Sequence, residues 1–418
     1  LEKPLKGCYS PDKDLYTELF SMPQKLQYRI AIVLVFFVNG FLYANVTGRL
    51  PELKDFFGVS DSVLGTMLFG TAIGALAAMP LAGWLTTRFN SGRLMIVCGI
   101  LFCCMVPLIP FSHNWWIARA AFLLTGFFSG AMDITMNGQA IFVERSWSRT
   151  IMSSFHAAFS IGMALGAGTG ALFANHHFGI QPHLWIMAAV CILVMAAVSP
   201  IVLRSQPTTR ELPTTKSKAR RIPPLIWLIA IVGFCGMTGE GSMVDWSALY
   251  LHTVVGESKA FSALAVGSFA TAMTIGRIFG DRLTEAAGKP AMLLGSCISS
   301  IAGLAIALSF VSAPVALAGF FLVGLGLSNV VPITYSTAGN IRGMDPAAGI
   351  AIASTIGYSG FFVSPPTIGY LADSFGLRIG LCFVLGLLLV MLFFIFLLIR
   401  YERSQQTNAG NAQTHATT

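Results

Sequence analysis

The chain has 418 residues, of which 55% are hydrophobic and only 11% charged, with a formal net charge of +8. A soluble domain carries roughly 25% charged residues, so this composition excludes an ordinary soluble protein and points to one embedded in a membrane. The positive excess is spread over many short polar breaks and not gathered into one basic patch, which excludes nucleic-acid binding as its explanation.

The first 27 residues carry Asp12, Asp14 and Glu18 and no apolar core, so segment 1–27 reads as a polar tail and not as a cleavable signal peptide. The first apolar stretch must then serve as the targeting signal. A helix needs about 20 mainly apolar residues to cross the hydrocarbon. Six such stretches follow, near 28–48, 62–86, 93–111, 115–142, 150–174 and 184–203. Next comes "RSQPTTRELPTTKSKARRIPP", residues 204–224, a polar, basic, proline-punctuated linker. Six more apolar stretches lie near 225–251, 260–280, 290–311, 314–337, 347–372 and 378–400, and 401–418 forms a second polar tail.

Lys and Arg fall overwhelmingly on one side of these spans. With both ends cytoplasmic, that side holds Lys3, Lys6, Lys13, Lys25, Arg29, Arg88, Arg93, Arg145, Arg149, Arg204, Arg210, Lys216, Lys218, Arg220, Arg221, Arg282, Lys289, Arg342, Arg400 and Arg403. The outer side receives Arg49, Lys54, Lys259 and Arg378. Because cytoplasmic loops retain positive charge, this asymmetry predicts a multi-pass protein of a bacterial inner membrane with both termini inside. Seven of the eight cysteines lie in predicted spans and Cys8 in the tail, with neither disulfide framework nor metal spacing.

The halves resemble each other. "IAIV" occurs at Ile30 and again at Ile229, 199 residues on, at the start of the first and seventh spans. At the same offset "DITMNGQA" from Asp133 lies over "PITYSTAG" from Pro332, and "FSIG" from Phe159 over "YSGF" from Tyr358. The predicted fold is therefore all-α: twelve transmembrane helices in two pseudo-symmetric six-helix bundles, 28–203 and 225–400, with a binding site between them.

"GWLTTRFNSGR" from Gly83 and the fuller "GRIFGDRLTEAAGK" from Gly276 resemble the loop signature of the major facilitator superfamily, and the likeness extends over nearly the whole chain. "DITMNGQAIFVER", "SSFHAAFSIG", "GEGSMVDWSALYL" and "GLGLSNVVP" are similar to a bacterial inner-membrane, fucose-permease-like subgroup. The first signature departs from the family pattern, with Thr87 where an Asp is usual. In such transporters these loops latch the inner gate by charge pairing. The resemblance implies that role for Asp281 and Arg282 in the second half, and for Arg88, Arg93, Glu144 and Arg149 in the first. Their alternative is the ordinary one of positive-inside charges and their neighbours.

Three carboxylates fall inside predicted spans: Asp133, Glu240 and Asp245. An uncompensated Asp at a helix centre costs about 2.5–3.5 kcal/mol by the lower scales, which makes each a candidate for proton coupling. Asn137 and Glu144 share a helical face with Asp133. If the fifth span folds back along the fourth, His156 and Ser160 reach the depth of Asn137 and Asp133, the makings of a proton relay; a packed, hydrogen-bonded His156 is the alternative. Gly236, Gly239 and Gly241 flank Glu240 and suit a helix that bends or unwinds mid-membrane. Five residues apart, Glu240 and Asp245 point about 140° from each other on a regular helix and cannot both face the same partner; Glu240, the deeper, is assigned to the cavity and Asp245, with Trp246, nearer the outer gate.

Around these acids the expected substrate contacts are Asn39, Tyr43, Asn45, Asn137, Trp246, Asn329, Tyr335 and Tyr358, amides and rings that suit a hydroxyl-rich solute. Arg119 is placed near the outer end of the fourth span and Arg277 near the inner end of the eighth, leaving a strongly anionic cargo without a partner. His176, His177 and nearby His183 read as a solvated outer loop and not as a metal site. The sequence thus describes a proton-coupled secondary transporter of a small neutral polar solute, a sugar or related metabolite, working as a monomer in the bilayer without cofactor or metal. A proton antiporter exporting cationic or amphipathic drugs, and a membrane-embedded enzyme or sensor, are the alternatives.

Overall fold

The computed structural model describes residues 22–86, 88–147, 151–204, 223–341, 344 and 346–416. Lys3, Lys6, Cys8, Lys13, Thr87, Arg149, Arg210, Lys216, Lys218, Arg220, Arg221 and Arg342 lie outside the described residues, with most of segments 1–27 and 204–224. The first half comprises α1 (Met22–Thr47), a short α2 (Leu50–Phe57), α3 (Asp61–Thr86), α4 (Ser91–Met105) continued by a 3-10 turn (Val106–Phe111), α5 (Trp115–Arg145), α6 (Met152–Asn175) and α7 (Ile180–Arg204). The second comprises α8 (Leu225–Tyr250) with a π turn (Leu251–Val255), α9 (Lys259–Ser262), α10 (Leu264–Ala287), α11 (Lys289–Ser309), α12 (Ala313–Leu327), α13 (Val330–Ala338), α14 (Pro346–Phe375) and α15 (Leu377–Ala416).

Local chemistry sets the ends of these helices. Asn90 caps α4 by accepting from the Arg93 amide at 2.9 Å, and Asn114 caps α5 through the Trp116 amide at 2.9 Å. Pro51, Pro290 and Pro314 stand in the first turns of α2, α11 and α12, where a missing N–H costs nothing. The predicted tenth span is two helices, because Pro332 cannot bond the Ser328 carbonyl one turn back and the chain breaks at Ser328–Asn329. The predicted tail 401–418 is largely a continuation of α15 as far as Ala416.

Eleven helical stretches among the described residues are long and apolar enough to cross a membrane. The expected span 347–372 is present as the 30-residue α14 (Pro346–Phe375). Large side chains such as Trp84, Trp116, Trp185, Trp227, Leu193 and Phe393 are exposed around the outside, which suits a lipid-facing wall. The four tryptophans lie near helix ends on both faces, where an amphipathic ring sits at the headgroups. The face on which α1 begins and α15 ends is called the terminal face below, and the opposite one the distal face.

Packing repeats between the halves. α1 lies against α6 and α7, and α5 against α3 and α4; likewise α8 lies against α14 and α15, and α12 against α10 and α11. Each half is thus a six-helix bundle with α2, α9 and the α12/α13 break as additions. The bundles meet along two seams, α6 with α10 and α3 with α14.

Candidate functional site

Between the bundles lies a cavity of about 270 Å³, walled by both. Phe36, Asn39 and Tyr43 of α1, Asp133 of α5 and His156 and Phe159 of α6 line it from the first half. Glu240 and Asp245 of α8, Arg277 of α10, and Tyr358, Phe361 and Phe362 of α14 line it from the second. Three carboxylates and one guanidinium therefore face a largely apolar space.

Asp133 is held from both halves. Asn137, one turn along α5, donates to its Oδ1 at 3.2 Å, and the Tyr358 hydroxyl donates to its Oδ2 at 3.4 Å. Asp245 accepts from the Tyr43 hydroxyl at 3.4 Å, and Glu240 pairs with Arg277 at 3.2 Å. Arg277 also donates to Ser160 Oγ at 2.5 Å and to the His156 carbonyl at 3.5 Å. The His156 ring stands edge-on to Phe36, centroids 5.5 Å apart.

Several expectations are corrected by this arrangement. Arg277 is not near a helix end: α10 runs to Ala287, ten residues beyond it, so the guanidinium enters the cavity and an anionic group would have a partner. Glu240 and Asp245 both line the cavity, since about 7.5 Å of axial rise lets them meet it at different depths through different partners. α8 does not unwind around Gly236–Gly241; it stays α-helical to Tyr250, and the irregular π turn comes after it. α6 does not lie along α5 but against α1 and α10, so His156 and Ser160 meet Arg277 and not Asn137.

Two expected substrate contacts hold helices together instead, and a third does not reach the cavity. Asn45 donates to the Phe41 carbonyl at 2.8 Å and accepts from Thr169 on α6 at 3.0 Å. Asn329 donates to the Gly276 carbonyl at 3.0 Å, stitching the α12/α13 break to α10. Trp246 is fully buried in the second bundle and does not line the cavity. Tyr335 stands behind the cavity wall, its hydroxyl 3.8 Å from the sulfur of the lining residue Met237. Asn39, Tyr43 and Tyr358 do line the cavity, and Asn137 reaches it through Asp133. His176 and His177 are exposed as expected, but His183 is buried in α7, its Nδ1 2.9 Å from Arg49.

The distal side of the cavity is closed. A Cβ added to Gly65 on α3 would come within 2.4 Å of the Pro365 carbonyl oxygen on α14, so only glycine allows this approach. Just beyond, Asp373 of α14 accepts from the backbone amides of Asp61 and Ser62 at 2.8 and 3.0 Å, capping the first turn of α3 from the other bundle. Lys259 of α9 pairs with Asp55 of α2, also between the two bundles on the distal side but away from the α3/α14 seam. Toward the terminal face, Ser153 donates to Asp281 at 2.8 Å. Among the described residues no ion pair joins Arg88, Arg93, Glu144, Asp281 or Arg282 in this state. Arg88 stacks on the Trp84 ring, 4.4 Å from its centroid, and Glu144 caps α6 by accepting from the Ile151 and Met152 amides, both at 2.7 Å.

Known proteins share this architecture. The chain is 34% identical to an uncharacterized MFS-type transporter of Yersinia pestis, over 87% of this chain and 94% of that one. It is 32% identical to membrane protein MosC of Rhizobium meliloti, over 85% and 86% of the two chains. Among solved structures, a bacterial homolog to the human lysosomal transporter Spinster superposes with a TM-score of 0.71 at 14% identity, covering 91% of this chain and 98% of that one. Residues 32–343 match the family model described as Major Facilitator Superfamily. The chain is thus a multi-pass membrane transporter, not an enzyme, and it belongs to the Major Facilitator Superfamily.

Proposed function

We propose that this transporter is proton-coupled and moves a small neutral polar solute, a sugar or related metabolite, by alternating access, as a monomer in a bacterial inner membrane with its terminal face cytoplasmic. The observation that carries the reading is the central cavity itself, where three carboxylates face one guanidinium between two bundles closed on the distal side. A carboxylate at this depth is a functional candidate by default, and protonation removes a charge that the bilayer interior disfavours, which suits a proton carrier. Aromatic walls with Asn39 and two tyrosine hydroxyls suit the faces and edges of a sugar-like ring.

Arg277 favours a second reading of the cargo, a carboxylate-bearing relative of such a solute that competes with Glu240 for the guanidinium. Purified protein in liposomes, with an imposed proton gradient and a labelled panel of sugars, sugar acids and cationic dyes, tests both. Uphill uptake of neutral sugars supports the first reading and of sugar acids the second. Gradient-driven movement of cationic dyes alone would replace both with drug antiport, and accumulation that ignores the proton gradient would refute proton coupling.

A further inference from the structure

On the distal side of the main cavity lies a second, much smaller pocket of about 20 Å³. Ten of its eleven lining residues belong to the first bundle, including Tyr43 and Thr47 of α1, Thr71 of α3 and Thr125 of α5; the eleventh is Asp245 of the second bundle. Thr47 Oγ1 and Thr125 Oγ1 are buried there without a hydrogen-bond partner among the described residues, their residues only 1% and 4% exposed. A buried hydroxyl is costly to leave unmatched. A single water needs about 10–15 Å³ and two to four polar partners, and this pocket offers one such volume, two free hydroxyls and a carboxylate.

We propose that the pocket binds one ordered water, bridging Thr47, Thr125 and Asp245, and that this water hands the coupling proton to Asp245. The relay rests on the proton-coupled reading above; the water site does not. Asp245 travels with α8, while the rest of the pocket belongs to the opposite bundle. Separation of the bundles on the distal face therefore opens the pocket to the distal solution, and the proton passes to Asp245 as reclosure brings the carboxylate back against the water. A proton arriving at the water oxygen is balanced by release of one of the water's own protons to Asp245, so one proton moves and the water is regenerated. Tyr43, the other titratable group lining the pocket, donates to Asp245 and aims it. Asp133, Glu240, Arg277 and His156 face Asp245 from the neighbouring cavity.

The test combines a high-resolution structure of the full chain in lipid nanodiscs with a pH titration of the distal gate that needs no substrate. Spin labels at His176→Cys and Val311→Cys, on exposed distal loops of the two halves, report the distal-open population from about pH 5 to pH 9. The unaltered protein should show one water within about 3 Å of all three groups. Thr47→Val with Thr125→Val, which removes both hydroxyls at nearly constant volume, should lose that water and move the gate's pH midpoint up by about one unit, because the carboxylate loses a partner of its charged form. A dry pocket, or density that appears only with sodium, overturns the site. A pH-responsive gate with the same midpoint in the double valine variant overturns this relay and leaves proton coupling standing. A gate indifferent to pH in the unaltered protein overturns relay and coupling together, and the density then decides the water alone.

Discussion

Tyr358 on α14 donates its hydroxyl to Asp133 on α5 at 3.4 Å, a hydrogen bond that spans the cavity and ties one bundle to the other. A proton on that carboxylate changes what the tyrosine can do there, since an ionised Asp133 only accepts and a protonated one can also donate. Asp133→Asn preserves an acceptor for Tyr358 but never exchanges a proton. We expect it to abolish uphill accumulation in liposomes under a proton gradient while counterflow exchange remains measurable. Accumulation at the unaltered rate would remove Asp133 from the coupling machinery.

Arg277 and Glu240 form a pair whose side chains are only 12% and 17% exposed. Removing one member of such a pair leaves the other charge without its match, at a cost of up to about 3 kcal/mol. Arg277→Leu should accordingly lower the melting temperature in detergent more than Glu240→Gln combined with Arg277→Gln, which removes both charges. Equal losses in the two variants would mean that the pair contributes little and that Arg277 is held chiefly by Ser160.

An ideal Cβ at Gly48 would lie 3.5 Å from the Cβ of Ala263, across the distal seam and at the short end of the range for a disulfide. After replacement of the eight native cysteines, Gly48→Cys with Ala263→Cys should crosslink readily, stop transport, and regain it on reduction. Gly65→Val, which cannot approach Pro365, should reduce that crosslinking severalfold by holding the distal face open. Transport that continues in fully crosslinked protein would argue against rocking of the bundles.

Asn45 and Asn329 join helices and do not line the cavity, so they separate stability from binding. Either residue changed to Ala should cost about 1–3 kcal/mol of stability, because buried partners are left unmatched, with unchanged solute affinity in the folded protein. A selective loss of affinity, with melting unaltered, would put them back among the substrate contacts.

The architecture was readable because its signals are long: twelve apolar stretches, a charge bias between their connections, and a 199-residue repeat. The site was readable only in part. An acid inside an apolar run announces itself, and Asp133, Glu240 and Asp245 all reach the cavity. Arg277 was hidden by an uncertainty of several residues in where its helix ends, enough to move a guanidinium from the surface to the interior. The clue was the polar run "GDRLTEAAGK", which is good helix-forming sequence and prolongs α10 past the apolar stretch. Asn45, Asn329 and Trp246 were misassigned for another reason: a buried polar group demands a partner, but nothing local says whether a neighbouring helix or a ligand supplies it. The unmatched hydroxyls of Thr47 and Thr125 depend on three helices meeting, and no single stretch of sequence encodes them.

Asp373 caps the first turn of α3 from the opposite bundle, so the end of one helix is finished by a residue that leaves whenever the distal face opens. Water can take the carboxylate's place on those amides, and a helix cap differs from hydration by only about 1 kcal/mol. The exchange therefore adds little bias toward either conformation. A carrier must visit both states in every turnover, and a deep well on one side would become its slowest step. A detachable cap gives this seam a defined geometry while leaving the two states close enough in energy for the bound cargo to decide between them.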